Sequence, residues 1–281
     1  MPPKQPPKRP GPRNRNPQNT PLAEAVAQRD KSVIALVKQA VNHKNALLAF
    51  QPIMQAGRQN KVAYQEGLIR IHDDSGRLIP AKDFITVVEE MELGRQIDCL
   101  ALERGLEALR LVPTLRLGIN MSARSIGYPE WTETLERGLA KDPTIAERLI
   151  LEITEQSAMT IPEIVTVFMR DLQRKGITFA LDDFGAGHTS FAYLRDFFFD
   201  ILKIDGKFIR NISLSADNQV LTQALISVAG HFDMFTVAES VENAADAAFL
   251  TAAGIDCMQG YLFAAPSTKP AWLDQPQRLR A

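Results

Sequence analysis

The stretch "FALDDFGAGHTSF" (179–191) sets two carboxylates, Asp182 and Asp183, side by side at the end of an apolar run and just before two glycines. Adjacent carboxylates repel each other and resist leaving water unless a cation neutralises them. The same arrangement, an apolar run ending in a polar group, recurs along the chain. Glu66, Asn120 and Glu152 precede the pair, and Lys203 with Asp205, Glu239 and Gln259 follow it. A donor set of carboxylates with one amide suits hard ions, Mg²⁺ or Mn²⁺, rather than zinc. Neither Cys99 nor Cys257 has a CxxC partner, and His43, His72, His188 and His231 show no HExxH spacing. One of the paired aspartates could bridge two ions roughly 3.5–4 Å apart while the other binds one of them. Glycines after Phe184 would let the backbone turn sharply beside them.

Such groups need elements that converge. The β-type runs are "LLAFQPI", "VAYQEGLIRI", "LRLGINMS", "RLILEIT", "ITFALDD", "FDILKID", "MFTVAES" and "IDCMQGY". Several are apolar at consecutive positions, as expected of strands buried on both faces. Amphipathic helices lie between them. In one, Thr160 and Glu163 read as a capping box, Pro162 falls in the first turn, and Arg174-Lys175-Gly176 closes the helix. Eight strands with intervening helices predict a TIM-like (β/α)8 barrel, whose C-terminal strand ends converge on one mouth. A doubly wound open sheet is the alternative, but no Gly-rich dinucleotide fingerprint follows the first strand. Any one strand-end acid reads as a helix N-cap. Acids on five strands around one mouth imply cations.

The chain has 281 residues, 45% of them hydrophobic, and a net charge of −1. No whole-protein field therefore favours a nucleic-acid polymer or an anionic membrane. Two cysteines are too few for a disulfide framework, which fits a reducing compartment and a cytoplasmic setting. No apolar run approaches the roughly 18 residues of a membrane helix. Residues 1–21, with five basic residues and no acid, read as a disordered Pro-rich tail. Helical periodicity begins at Leu22, with Leu22, Val26, Val33, Val37 and Val41 near one face, and predicts an N-terminal helix over 22–44. The barrel is expected over 22–274 and a short tail over 275–281.

The ordered series "FQPI" (50–53), "EGLIR" (66–70), "NMS" (120–122), "LEITE" (151–155), "LDDFGAG" (181–187), "LKID" (202–205), "AESVE" (238–242) and "QGY" (259–261) resembles the EAL-domain phosphodiesterases, which cleave cyclic di-GMP. The resemblance runs from about Ser32 to Pro270. It implies a barrel whose first strand is antiparallel to the others, and a two-metal hydrolysis giving the linear dinucleotide pGpG. By resemblance, Glu66, Asn120, Glu152, Asp182, Asp183 and Glu239 are the metal-site residues, with Asp183 and Glu239 also assigned to the chemistry. Lys203 corresponds to the group that orients or activates the attacking water. Gln51, Leu68, Arg70, Asp205 and Gln259 correspond to substrate-side positions. Glu155 resembles the glutamate that steadies the loop after Asp183, and Glu242 a partner near Glu239.

Four positions depart from the family pattern: Gly67, Ala186, His188 and Ser240. None is an expected metal ligand. The chain ends shortly after Pro270, so neither a cyclase nor a sensor domain is expected alongside the barrel. Two other readings stay open: a catalytically silent cyclic di-GMP receptor or docking module, and an enolase-like lyase, which would need a capping domain. The segment "HTSFAYLRDFFFDILKID" (188–205), with Phe191, Leu194, Phe197, Phe198 and Phe199, carries an apolar cluster. The resemblance implies a homodimer through the helix there.

Overall fold

The computed structural model describes residues 21–58, 61–73, 75–185, 194–195 and 197–273. The expected N-terminal tail, apart from Pro21, and the C-terminal tail at 275–281 lie outside the described residues, as do Ala186, His188 and Phe191. The strands are β1 (Ala46–Gln55), β2 (Val62–His72), β3 (Leu78–Pro80), β4 (Leu117–Asn120), β5 (Leu149–Thr154), β6 (Thr178–Phe184), β7 (Ile201–Ile204), β8 (Phe235–Ala238) and β9 (Cys257–Met258). The helices are α1 (Pro21–Asn42), α2 (Ile85–Val88), α3 (Glu92–Leu111), α4 (Pro129–Lys141), α5 (Glu155–Ala158), α6 (Pro162–Gln173), α7 (Gly206–Ile209), α8 (Ala216–His231) and α9 (Ala244–Ala253).

The strands follow the order β1-β9-β8-β7-β6-β5-β4-β2, and β1 pairs back with β2 to close the barrel. Strand β1 is antiparallel to both neighbours, whereas β2 and β4 through β9 run parallel. Each β-type run expected from the sequence is a barrel strand. The short β3, not expected, pairs antiparallel with the end of β2.

Successive strand residues face opposite sides, so interior positions recur every second residue. Ile53, Tyr64, Ile150, Ala180, Ile201, Val237 and Cys257 form one packed layer across the barrel interior. Gly118 belongs to it too, since a Cβ there would run into Glu152 and the Tyr64 ring. Two residues further along the parallel strands stand Glu66, Asn120, Glu152, Asp182, Lys203, Glu239 and Gln259. On the antiparallel β1, Gln51 stands two residues earlier. Strand period and direction thus lift this polar set onto an apolar floor at the C-terminal mouth.

Some local expectations are corrected. The N-cap of α6 is Ile161, with no side-chain cap bond. Thr160 donates its hydroxyl to the Gln156 carbonyl (3.1 Å) instead, so no capping box forms. Pro162 does occupy the first turn, and Gly176 closes the helix in the left-handed region (φ 97°). Helix α1 runs two residues shorter at its C-terminus than expected and begins at Pro21. It buries Val37 but leaves Val26 exposed. The apolar segment before β7 is mainly core, since Leu194, Phe197 and Phe199 are buried and only Phe198 is exposed (63%) among its described apolar residues. Phe198 precedes β7, at the end of the barrel opposite the mouth.

Candidate active site

Lys203 is the centre of the site. Its side chain is fully buried, and Nζ lies 2.6 Å from Glu152 Oε2, 2.8 Å from Asp182 Oδ1, 2.9 Å from Glu239 Oε1 and 3.5 Å from Glu66 Oε2. Burial alone would lower the lysine pKa, but the surrounding carboxylates raise it well above its usual value. One ammonium cannot offset four acids. Burial pushes Glu152 up to about 8, with Lys203 pulling it down and Glu66 and Asp182 pushing it higher. Burial likewise raises Glu239 well above the carboxylate range, against the pull of Lys203.

A chain of amides fixes one side of the cluster. Asn120 Nδ2 donates to Glu66 Oε1 (2.8 Å). Gln259 Nε2 donates to Glu66 Oε2 (2.7 Å) and to Gln51 Oε1 (3.0 Å). Gln51 in turn donates to the Ala264 carbonyl (3.0 Å), so it anchors Gln259 and the segment after β9.

Asp183 breaks the strand alternation. On a regular strand it would face away from Asp182, but its φ is 53°, and the β6–β7 register slips between Leu181 and Phe184. An aspartate tolerates this left-handed turn better than most residues. The turn leaves Asp183 half-buried, and Asp182, Asp183 and Glu239 each offer a carboxylate oxygen within 4.8 Å of the others. Burial and the Asp182 charge raise Asp183 to about 6. Beyond it, Gly185 (φ 89°) donates its N–H to Glu155 Oε2 (2.8 Å), and its other side is closed by the Phe208 ring. This bond ties the turn to Glu155.

The residues present fit hard cations. Glu152 Oε1 is buried without a hydrogen-bond partner among the described residues, and Gly118 lacks the side chain that would fill its seat. With Asn120 they make an all-oxygen donor set carrying excess negative charge.

A cavity of about 950 Å³ opens from this cluster. Leu68, Ile85 and Ile97 supply apolar wall, while Glu66, Asn120, Asp182 and Asp183 reach in from the mouth. Leu68 therefore stands where a ligand could touch it. Arg70 is half-buried and donates to its own strand's Ile69 carbonyl (3.0 Å); it is not part of this wall. Asp205 caps α7 by accepting from the Lys207 N–H (2.7 Å). Glu242 is half-exposed and faces Arg210 (3.6 Å), which itself donates to Ser240. The expected partnership of Glu242 with Glu239 is thus replaced by an ion pair at the surface.

Sequence reasoning missed Asp98, Tyr64 and Gly118. Asp98 is buried in the cavity wall, where Oδ2 accepts from the Ser122 N–H (2.9 Å) and Ser125 hydroxyl (2.6 Å). It holds the turn after Asn120, and burial raises it to about 7 against those donors. Its signal was an acid among the apolar positions of α3. Tyr64 and Gly118 lie two residues before Glu66 and Asn120, so strand period alone could have placed them.

An eight-stranded β/α barrel with one reversed strand, carrying a lysine and a cation-attracting acid cluster at its mouth, is the class that fold and site define. The chain belongs to the EAL domain family, whose pattern matches residues 35–266. It is 34% identical over 249 residues to the cyclic di-GMP phosphodiesterase PdeF of Escherichia coli, covering 87% of this chain and 33% of that protein. To the cyclic di-GMP phosphodiesterase PdeB of Shewanella oneidensis it is 30% identical, covering 85% of this chain and 28% of that one. The chain thus spans about a third of the length of these curated relatives. Among solved structures, the PaMucR phosphodiesterase in complex with c-di-GMP superposes with a TM-score of 0.77 at 27% identity, covering 86% of this chain and 98% of that one. No helix among the described residues is long and apolar enough to cross a membrane.

Proposed function

We propose that this chain is a divalent-metal-dependent phosphodiesterase hydrolysing cyclic di-GMP to linear pGpG with two ions, Mg²⁺ or Mn²⁺. One observation carries the reading: Lys203 is buried among Glu66, Glu152, Asp182 and Glu239, an excess of acid that divalent ions would neutralise. The activity borne in the names of PdeF and PdeB, and the c-di-GMP bound to PaMucR, support it.

Glu66, Asn120, Glu152, Asp182, Asp183 and Glu239 would hold the ions. When bound, two such ions would draw charge from the phosphodiester and acidify a water. The chain's own groups do the rest. Lys203, kept protonated by the acids around it, acts as a hydrogen-bond donor and fixed charge that orients the attacking water. Asp183, half-exposed at the mouth, is suited with Glu239 to accept its proton. Attack at phosphorus breaks the bond to the ribose 3′ oxygen, leaving a 5′ phosphate and a 3′ hydroxyl. Leu68 and the apolar wall take the nucleotide, with Gln259 and Gln51 bracing Glu66. Arg70 and Asp205, outside that wall, would meet only the parts of the substrate that project beyond it.

Incubation with cyclic di-GMP and Mn²⁺, with chromatography of the products, is the test. One linear dinucleotide is expected, absent in excess EDTA. Tight binding without turnover would establish the silent-receptor reading instead. We place the protein in the cytoplasm, consistent with its free, buried Cys99 and Cys257. Homodimer formation through the segment after Phe184 rests on the family resemblance, and sedimentation at micromolar concentration tests it.

A further inference from the structure

We propose that Tyr64 is a positioning residue for Glu152, its phenol O–H serving the glutamate from the barrel floor once ions bind. The layer under the acid cluster is otherwise aliphatic or small: Ile53, Ile150, Ala180, Ile201, Val237 and Cys257. Apart from the weakly polar Cys257 thiol, Tyr64 alone among these residues brings a polar side-chain atom into it. That hydroxyl is buried and has no hydrogen-bond partner among the described residues. Glu152 Oε1 is in the same condition. The phenol can donate, and Glu152, once ionised by ion binding, can only accept.

Both side chains border one hollow. A Cβ on Gly118 would overlap Glu152 Oε1 and would lie 3.2 Å from Tyr64 Cε2. Glycine at 118 therefore lets the carboxylate and the phenol ring approach the same point from two strands. A buried donor and a buried acceptor are each costly to leave unmade, so a reorientation of Glu152 on ion binding that brings Oε1 to the phenol, directly or through one water, satisfies both. Glu152 Oε2 is held at 2.6 Å by Lys203. An ion competing for that oxygen weakens the lysine's grip, and the phenol then becomes the group that fixes the carboxylate's direction. A donor behind a ligating carboxylate orients it, and losing such a partner typically lowers metal affinity roughly 10–100-fold.

The inference rests on the metal-dependent reading above, but its test is independent of turnover. Tyr64→Phe removes the hydroxyl and keeps the ring. Mn²⁺ binding to metal-free wild type and variant, without substrate, is measured by calorimetry, alongside the thermal midpoint in EDTA. We expect a loss of affinity near 10-fold with the metal-free midpoint unchanged or slightly raised, because no bond is lost there. With cyclic di-GMP, kcat falls while KM holds. Mn²⁺ affinity within twofold of wild type would reduce Tyr64 to a space-filling role. A lowered metal-free midpoint with a matching loss of affinity would make the hydroxyl a support of the fold, and would equally overturn the proposal. A wild type that binds Mn²⁺ but leaves cyclic di-GMP intact would instead sink the phosphodiesterase reading.

Discussion

Lys203 and Glu152, on β7 and β5, form a fully buried ion pair at 2.6 Å, yet Glu152 is raised to about 8. The pair is close but overdrawn, because three further acids share the lysine. A carboxylate whose folded pKa exceeds its unfolded value of about 4.3 holds a proton that the unfolded chain has released. Its contribution is complete below that unfolded value and is lost as pH rises through the folded one. Asp183, raised to about 6, acts in the same sense over a lower window. Metal-free protein should therefore lose thermal stability between about pH 5 and 8, and saturating Mn²⁺ should flatten the decline. A metal-free midpoint that rises steadily across this range would contradict the reading.

Proton release follows from the same groups. Binding Mn²⁺ near pH 7 should expel protons from Glu152, so affinity should increase from pH 6 to 8. Calorimetry in buffers of differing ionisation enthalpy would measure the release directly. An enthalpy independent of buffer would show that these acids are already ionised.

Lys203→Ala should reduce kcat by ~10² or more, the scale of a lost electrostatic group. Breaking a buried ion pair also leaves uncompensated charge, at about 3–5 kcal/mol. The variant should thus melt lower in EDTA and gain more from Mn²⁺ than wild type does. Normal turnover would make Lys203 a structural counter-ion only.

Glu155 accepts from the Gly185 N–H at 2.8 Å, across from the Phe208 ring. Its effect on chemistry passes through the Asp183 turn. Glu155→Ala should lower kcat/KM by roughly 10-fold or more, while Glu155→Gln, whose amide oxygen can still accept, should retain most activity. Equal losses in both variants would show that the glutamate's charge, not its acceptor, matters.

The strand ends were legible because one rule governs them: parallel strands with period two bring each terminal polar residue to the same mouth. Glu66, Asn120, Glu152, Asp182, Lys203, Glu239 and Gln259 all obey it. Asp183 does not, and only the left-handed turn and register slip reveal how it joins them. Glu242 misled because nearness in sequence to Glu239 says nothing of direction beyond a strand end, and Arg210 stood within reach. How the apolar cluster at 197–199 divides between core and surface was not legible, because only the structure shows that Phe197 and Phe199 turn inward and Phe198 outward. Asp98 lay on a helix, where no strand rule applied.

Gly118 offers the sharpest geometric test of the site. It pairs with Glu66 across the β2–β4 register and leaves room on the interior face for Glu152, whose Cδ would sit 2.9 Å from an added Cβ. That carboxylate cannot retreat downward, because the Tyr64 ring lies there, nor sideways without leaving Lys203. Gly118→Ala should therefore push Glu152 out of its seat, with an overpacking penalty of about 1–3 kcal/mol. Mn²⁺ affinity and kcat should fall by more than the loss of stability explains, since the displaced group is one proposed to hold the ions. A Gly118→Ala/Glu152→Asp double variant shortens the acid by one methylene and should recover part of the lost stability. If Gly118→Ala binds Mn²⁺ as wild type does, Glu152 does not need this seat and its assignment as a metal ligand fails.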